Sequence, residues 1–199
     1  MSSSNPNAQI GSIDNKLAAT LHKIGEVYKY LLLQKGKQFG LSPIQVQILL
    51  FVAYHENASY RTVSYLSQEL NITKPTVSDA VKVLHQKGYI DKSINEDTRS
   101  YSIVLKDKGR KILPDLESFD QTVVTSIKSI DKEIKPELLE NLLMALSRLQ
   151  EHGAVNTQRM CFNCKFLQND AGKFYCKLLN KNLTKPDLRV DCPEFDLKE

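Results

Sequence analysis

The first 160 residues of this 199-residue chain contain no cysteine, so nothing in that part can be cross-linked by a disulfide or held by thiolates. No apolar run approaches the ~20 residues that a membrane-spanning helix needs, which argues against an integral membrane protein. The opening segment, MSSSNPNAQIGSIDN, lacks the basic start and apolar stretch of a secretory signal, and a cytoplasmic setting is expected. Missing too are a paired nucleophile and base, a glycine-rich phosphate loop and a catalytic metal motif, so no enzymatic activity is expected. No internal repeat is visible. What remains is a composition of 41% hydrophobic and 25% charged residues, that of a globular domain with an appendage.

Charge is unevenly placed. Residues 58–111 carry ten Lys/Arg against six Asp/Glu, whereas 112–152 carry four against eight, so a basic middle precedes an acidic helical stretch. Such asymmetry suits a protein that turns one face toward a polyanion.

Apolar residues at Ile13, Leu17, Leu21, Ile24, Val27, Leu31 and Leu32 follow the helical period and predict a long amphipathic helix over 13–38. Ser42 and Pro43 open a second helix over about 43–55. Thr62 caps a short helix over 63–70, NIT makes a turn, and Thr73 caps another helix that runs to Lys87, with Gly88 where a left-handed residue is wanted. YIDKSI and SYSIVLK then read as a two-stranded hairpin around NEDTR. Helical periodicity returns over 108–134, where Pro114 is a candidate kink, and Pro136 opens a final helix with Leu138, Leu139, Leu142, Leu143, Leu146 and Leu149 on its apolar face.

Helix, turn, helix and hairpin in that order predict a winged DNA-binding domain, mainly α with a small β-hairpin wing. On the helix TKPTVSDAVKVLHQKG, Val77, Ala80, Val81 and Leu84 face inward. That leaves Thr73, Lys74 and Thr76 at the N-terminal turn as candidates for phosphate, and Ser78, Asp79 and Lys82 as candidates for base edges. GYIDKSINEDTRSYSIVLKDKGRKIL, together with LSPIQVQILL and LSQELNIT, resembles the MarR family of bacterial transcription regulators over about residues 12–150. The matching positions are Gly88, Asp97, Arg99, Leu105 and Gly109. The resemblance implies that Arg99 enters the minor groove from the wing, oriented by Asp97, and that the terminal helices dimerise, so that a homodimer reads a palindromic operator in double-stranded DNA. It also implies a small-molecule effector as a possible partner, for which His22, Tyr28, Tyr54 and His55 are candidate cleft residues; no ligand is assigned.

The 39 residues from Cys161 onward hold all four cysteines, Cys161, Cys164, Cys176 and Cys192, separated by two, eleven and fifteen residues. A Cys-x-x-Cys pair places two thiolates on one centre and the longer loops return the others, which predicts a metal site. Zinc is the expected ion, although the second Cys-x-x-Cys usual in zinc ribbons is missing. A [4Fe–4S] cluster is the alternative, favoured by Cys192-Pro193 and by a short resemblance to cluster-bearing subunits of glycyl-radical enzymes, with Phe162, Phe166, Phe174, Tyr175 and Phe195 as its shield. A metal-free thiol switch is the third option. The expected organisation is a disordered N-terminus over 1–11, a winged helix-turn-helix and dimerisation domain over 12–152, a linker over 153–160 and a four-cysteine module over 161–199. The expected function is transcription regulation that responds to metal or redox state. The competing one is an electron-transfer or enzyme-accessory protein carrying an iron–sulfur cluster.

Overall fold

The computed structural model describes residues 3–94 and 101–198. Seven α-helices and two small sheets are present among them: α1 (Ile13–Gln38), α2 (Pro43–Tyr54), α3 (Val63–Glu69), α4 (Lys74–Gln86), β1 (Ile90–Ile94), β2 (Tyr101–Leu105), α5 (Asp107–Glu117), α6 (Gln121–Lys128), α7 (Lys135–Glu151), β3 (Leu167–Asp170), β4 (Lys173–Cys176) and β5 (Lys181–Leu183). This is the expected mainly helical chain with a β-hairpin wing.

The helix starts follow from local chemistry. Ser42 accepts from the Gln45 amide while the Gln45 side chain accepts from the Ser42 amide, a reciprocal cap that leaves neither donor orphaned at the start of α2. Ser12, Thr62 and Thr73 cap α1, α3 and α4 from one side only, each side chain accepting from the amide three residues on. Gly88 ends the recognition segment at φ 75°, a conformation in which a side chain would be strained. Gly109 is needed for a different reason. A Cβ there would lie 2.3 Å from the Tyr89 carbonyl oxygen, so α5 can rest against the end of α4 only through a glycine.

One core joins α2, α3, α4, the hairpin and α5 through Ile48, Leu49, Leu66, Val77, Val81, Leu84, Ile90, Ile103 and Leu116. The hairpin is antiparallel with Ile90 opposite Leu105 and Ile94 opposite Tyr101. A second core lies at the C-terminal end, where Leu143 of α7 packs with Met160, Cys161, Leu167, Phe174 and Leu188. The C-terminal segment, a three-stranded antiparallel sheet in the order β3-β4-β5, therefore borrows apolar surface from α7. Lys185 adds polar contacts across the same junction, pairing with Glu137 and, at 2.7 Å, with Glu140.

Three expectations change. The helix predicted over 108–134 is broken: α5 continues through Pro114 to Glu117, a 3-10 turn spans Ser118–Asp120, and α6 follows. Its break coincides with the Ser118 hydroxyl donating back to the Asp115 carbonyl at 2.7 Å, a local bond that competes with helix continuation. Residues 3–11, expected to be disordered, include a 3-10 turn over Pro6–Gln9 capped by Asn5 and tied to α1 by Asn15 Nδ2 donating to the Ala8 carbonyl at 2.7 Å. The stretch 153–160 is no free linker, because Arg159 and Met160 are buried and Asn156 is bonded to the helix-turn-helix.

Candidate nucleic-acid interface and cysteine site

α4 separates its faces as the sequence predicts. Val77, Ala80, Val81 and Leu84 are buried, and Thr73, Lys74, Thr76, Ser78, Asp79 and Lys82 are all exposed on one continuous outer surface. Its first turn is less open to an anion than the sequence suggests. Pro75 has no amide hydrogen, and the Thr76 amide already donates to Thr73 Oγ1 at 3.4 Å, with the two hydroxyls 2.7 Å apart. A phosphate at this end would meet the Lys74 ammonium and amide more than a ring of free backbone donors.

The hairpin is fastened to the end of α4 through Asp91. Its carboxylate accepts from the Lys92 amide at 2.9 Å and lies 3.4 Å from His85 Nε2 and 3.9 Å from Lys106 Nζ. The hydrogen bond from the Lys92 amide, with Lys106 and His85 close by, holds the Asp91 carboxyl below the usual carboxylate range. Lys92 sits over the Tyr101 ring at 4.4 Å. Asp97 and Arg99, the wing residues singled out from the sequence, lie outside the described residues.

The candidate cleft residues are not brought together. His22 is exposed beside Glu26, Tyr28 packs edge-on against Phe119 and Tyr54 is exposed. His55 instead stacks on Phe51 at 3.9 Å and belongs to a junction that the sequence did not disclose.

That junction is built on Arg159. The side chain is 3% exposed; its guanidinium lies 5.3, 5.0 and 5.9 Å from the ring centres of Phe51, Tyr60 and Tyr65. Its Nη2 is 2.7 Å from Asp191 Oδ1 and its Nε 3.6 Å from Glu69 Oε2. His55 completes the group, with Nδ1 donating to the Phe51 carbonyl at 2.7 Å and Nε2 lying 2.9 Å from Asp191 Oδ2. Burial pushes the Glu69 carboxyl up against the pull of Arg159, and burial raises the Tyr65 phenol to about 12. Nearby, Asn156 donates from its side chain to the Gln68 carbonyl at 3.0 Å, and its amide donates to Asn71 Oδ1 at 2.9 Å, in the turn that leads into α4. The only sequence signal for this junction was an arginine and an aspartate placed one or two residues before a cysteine, and that pattern alone carries no partner.

All four cysteines are free, and all four line one cavity of about 140 Å³ in the C-terminal segment. Cys161 begins a 3-10 turn and Cys164 caps it, Cys176 ends β4, and Cys192 follows Asp191. Main-chain bonds fix the frame. The Cys161 amide donates to the Arg189 carbonyl at 3.1 Å, the Cys192 amide to the Arg159 carbonyl at 2.8 Å, and the Arg189 amide to Cys161 Sγ at 3.2 Å. Burial pushes the Cys161 thiol up, and the Arg189 amide partly offsets it. Phe174 is buried and packs edge-on against Phe162, with ring centres 5.8 Å apart; of the five aromatics expected to shield the site, Phe166 lines the cavity.

An exposed second helix of a helix-turn-helix, followed by an antiparallel hairpin and backed by long flanking helices, defines a winged helix-turn-helix protein. Residues 39–100 match the model of the MarR family. Among solved structures, S. aureus MepR in its DNA-binding conformation is 26% identical, covers 67% of this chain and 98% of its own, and superposes with a TM-score of 0.60. The S. aureus MepR–DNA complex is similar at 27% identity, 66% and 97% coverage and a TM-score of 0.59. A MarR transcriptional regulator from Methanosarcina mazei Go1 gives 25% identity, 68% and 95% coverage and a TM-score of 0.55. No curated protein matches the sequence. The solved relatives are thus spanned almost end to end while about a third of this chain lies outside each match.

Proposed function

We propose that this protein is a homodimeric, sequence-specific DNA-binding transcription regulator of the cytoplasm, whose C-terminal cysteine segment adjusts DNA binding to metal or redox state. The observation that carries the DNA-binding reading is α4. A helix with four buried apolar residues and an outer face of Thr73, Lys74, Thr76, Ser78, Asp79 and Lys82 has the form of a major-groove reader. MepR, to which the chain is similar, has been solved bound to DNA, and the family is one of regulators and not of enzymes. Among the described residues no helix is long and apolar enough to cross a membrane.

Dimerisation is supported by apolar faces that a single copy leaves open. On α1, Ile13, Leu17, Leu21, Ile24 and Val27 are 43–66% exposed, and on α7 Leu138, Leu142, Leu146 and Leu149 are 36–46% exposed. Exposed apolar stripes of this extent mark an interface. Two copies joined there would present their recognition helices about one DNA turn, ~34–36 Å, apart, which demands a palindromic operator.

Control by the cysteine segment is supported by the Arg159 junction. Cys192 adjoins Asp191, and Asp191 with Arg159 grips α2 and α3 of the DNA-reading lobe, while Leu143, Ser147 and Gln150 of α7 hold the same segment from the dimerisation side. A state change at the cysteines therefore has a packed route to both elements that set the spacing of the recognition helices, and a tenfold change in affinity needs only ~1.4 kcal/mol of coupling.

The test is operator selection from random duplex DNA followed by anisotropy titration at fixed salt. A palindromic site bound by a dimer is expected, with Arg99→Ala binding more weakly while its thermal unfolding is unchanged. Absence of any preferred sequence would reject the regulator.

A further inference from the structure

The geometry of the C-terminal cavity points to a more definite occupant than a metal ion in general: we propose that Cys161, Cys164, Cys176 and Cys192 ligate one [4Fe–4S] cluster. This concerns the cysteine segment alone and holds whether or not the operator reading does.

The first argument is spacing. A structural zinc ion sits ~2.3 Å from each of its sulfurs, so a tetrahedral site draws all four to within about 4 Å of one another. Here the four thiols line the wall of one cavity of about 140 Å³. Donors that surround a volume suit a cofactor with a volume of its own. A cubane of four irons and four sulfides is held by one thiolate at each iron and fills the space between them.

The second argument is the wall. Between the cysteines it is formed mostly by Phe166, Leu167, Leu178, Leu179 and Leu183, with Arg189 and Glu194 as its charged members. A polar void of this size would hold ordered water, which needs two to four polar partners; this wall offers few. It does match the outside of a cluster, whose inorganic sulfides accept weak hydrogen bonds and otherwise meet apolar side chains. The Arg189 amide already donates to Cys161 Sγ at 3.2 Å, the kind of bond to a ligating sulfur that sets a cluster's potential.

The third argument is anchoring. Cys161 and Cys164 share one 3-10 turn, Cys176 closes a strand and Cys192 is held by the Arg159 carbonyl, so the four reach the cavity from three separately fixed pieces of backbone. Donors carried on separately fixed pieces of backbone can stand around one volume without any rearrangement of the main chain.

The outer wall is thin, since Leu178 and Leu179 are 43% and 54% exposed, and oxygen should reach the cofactor.

The experiment is analysis of the full chain purified without oxygen from iron-supplemented cells. Brown protein with iron and acid-labile sulfide each at about four per chain, and a paramagnetic signal after one-electron reduction, is expected. Air should bleach it. Cys176→Ser and Cys192→Ser should each lose most of the iron and sulfide while keeping the helical circular dichroism of the wild type. One zinc per chain with no sulfide would overturn the proposal, as would full iron and sulfide in both variants. Since metal and sulfide content are read on the wild-type chain, a variant that fails to fold does not rescue the idea.

Discussion

Replacing Arg159 by Ala should release the cysteine segment from the DNA-reading lobe while leaving the helix-turn-helix folded. The guanidinium is 3% exposed, lies against three aromatic rings and faces two carboxylates. Removing one partner of a buried ion pair costs roughly 3–5 kcal/mol. Here Asp191 is 48% exposed and Glu69 18% exposed, so water can re-solvate much of what is left, and the expected loss of docking free energy is at the lower end, about 3 kcal/mol. That is more than a hundredfold in the docked-to-undocked ratio. Hydrogen exchange is the assay: amides of 156–164 and of α3 should lose protection in Arg159→Ala, while those buried in the main core, such as Leu49 and Ile103, should keep theirs. Arg159→Lys keeps the charge but not the planar group that reaches both carboxylates and lies among the rings, and should recover only part of the loss. Protection unchanged within a factor of five in Arg159→Ala would refute the claim that this residue joins the two parts.

Further outcomes follow from other places in the fold. Lys74→Ala should reduce the slope of log K against log salt by about one, as loss of a phosphate contact does, whereas Lys82→Ala should instead relax sequence preference; identical salt slopes for Lys74→Ala and wild type would remove Lys74 from the phosphate contacts. Ile24→Glu on α1 and Leu142→Glu on α7 place charges on the exposed apolar faces and should yield monomers in sedimentation at micromolar concentration; stable dimers of both would move the interface elsewhere. Gly109→Ala should destabilise the main core by roughly 1–3 kcal/mol in urea unfolding, because its Cβ would meet the Tyr89 carbonyl oxygen at 2.3 Å. Raising pH should expose Tyr65: its phenol ionises near 12 in the folded chain, so the unfolded chain releases its proton first and stability falls from about pH 10 upward. Tyr65→Phe should flatten that fall, and an unchanged alkaline profile would show that the phenol is not protected.

The sequence alone determined those elements whose cause is local. Caps at Ser42, Thr62 and Thr73, the inward face Val77, Ala80, Val81 and Leu84, the two β-branched and aromatic strands of the hairpin and the turn at Gly88 are set by residues within a few positions of one another, and the structure has them where the pattern placed them. The same holds for the outward set on α4, since a helix that buries one face must expose the other. The break between α5 and α6 was hidden because apolar spacing continues across the 3-10 turn of Ser118–Asp120. Nor could composition show that 153–160 is docked: polar residues read as a linker until one knows that Arg159 meets Asp191, Glu69 and three aromatic rings drawn from α2, α3 and the turn between them. The cysteines divide the same way. Their spacing foretold a common site, but whether four thiols close on a point or surround a volume depends on where β4, the 3-10 turn and the Arg159 carbonyl hold their backbones, and backbone positions brought together from distant parts of the chain are fixed only by tertiary packing.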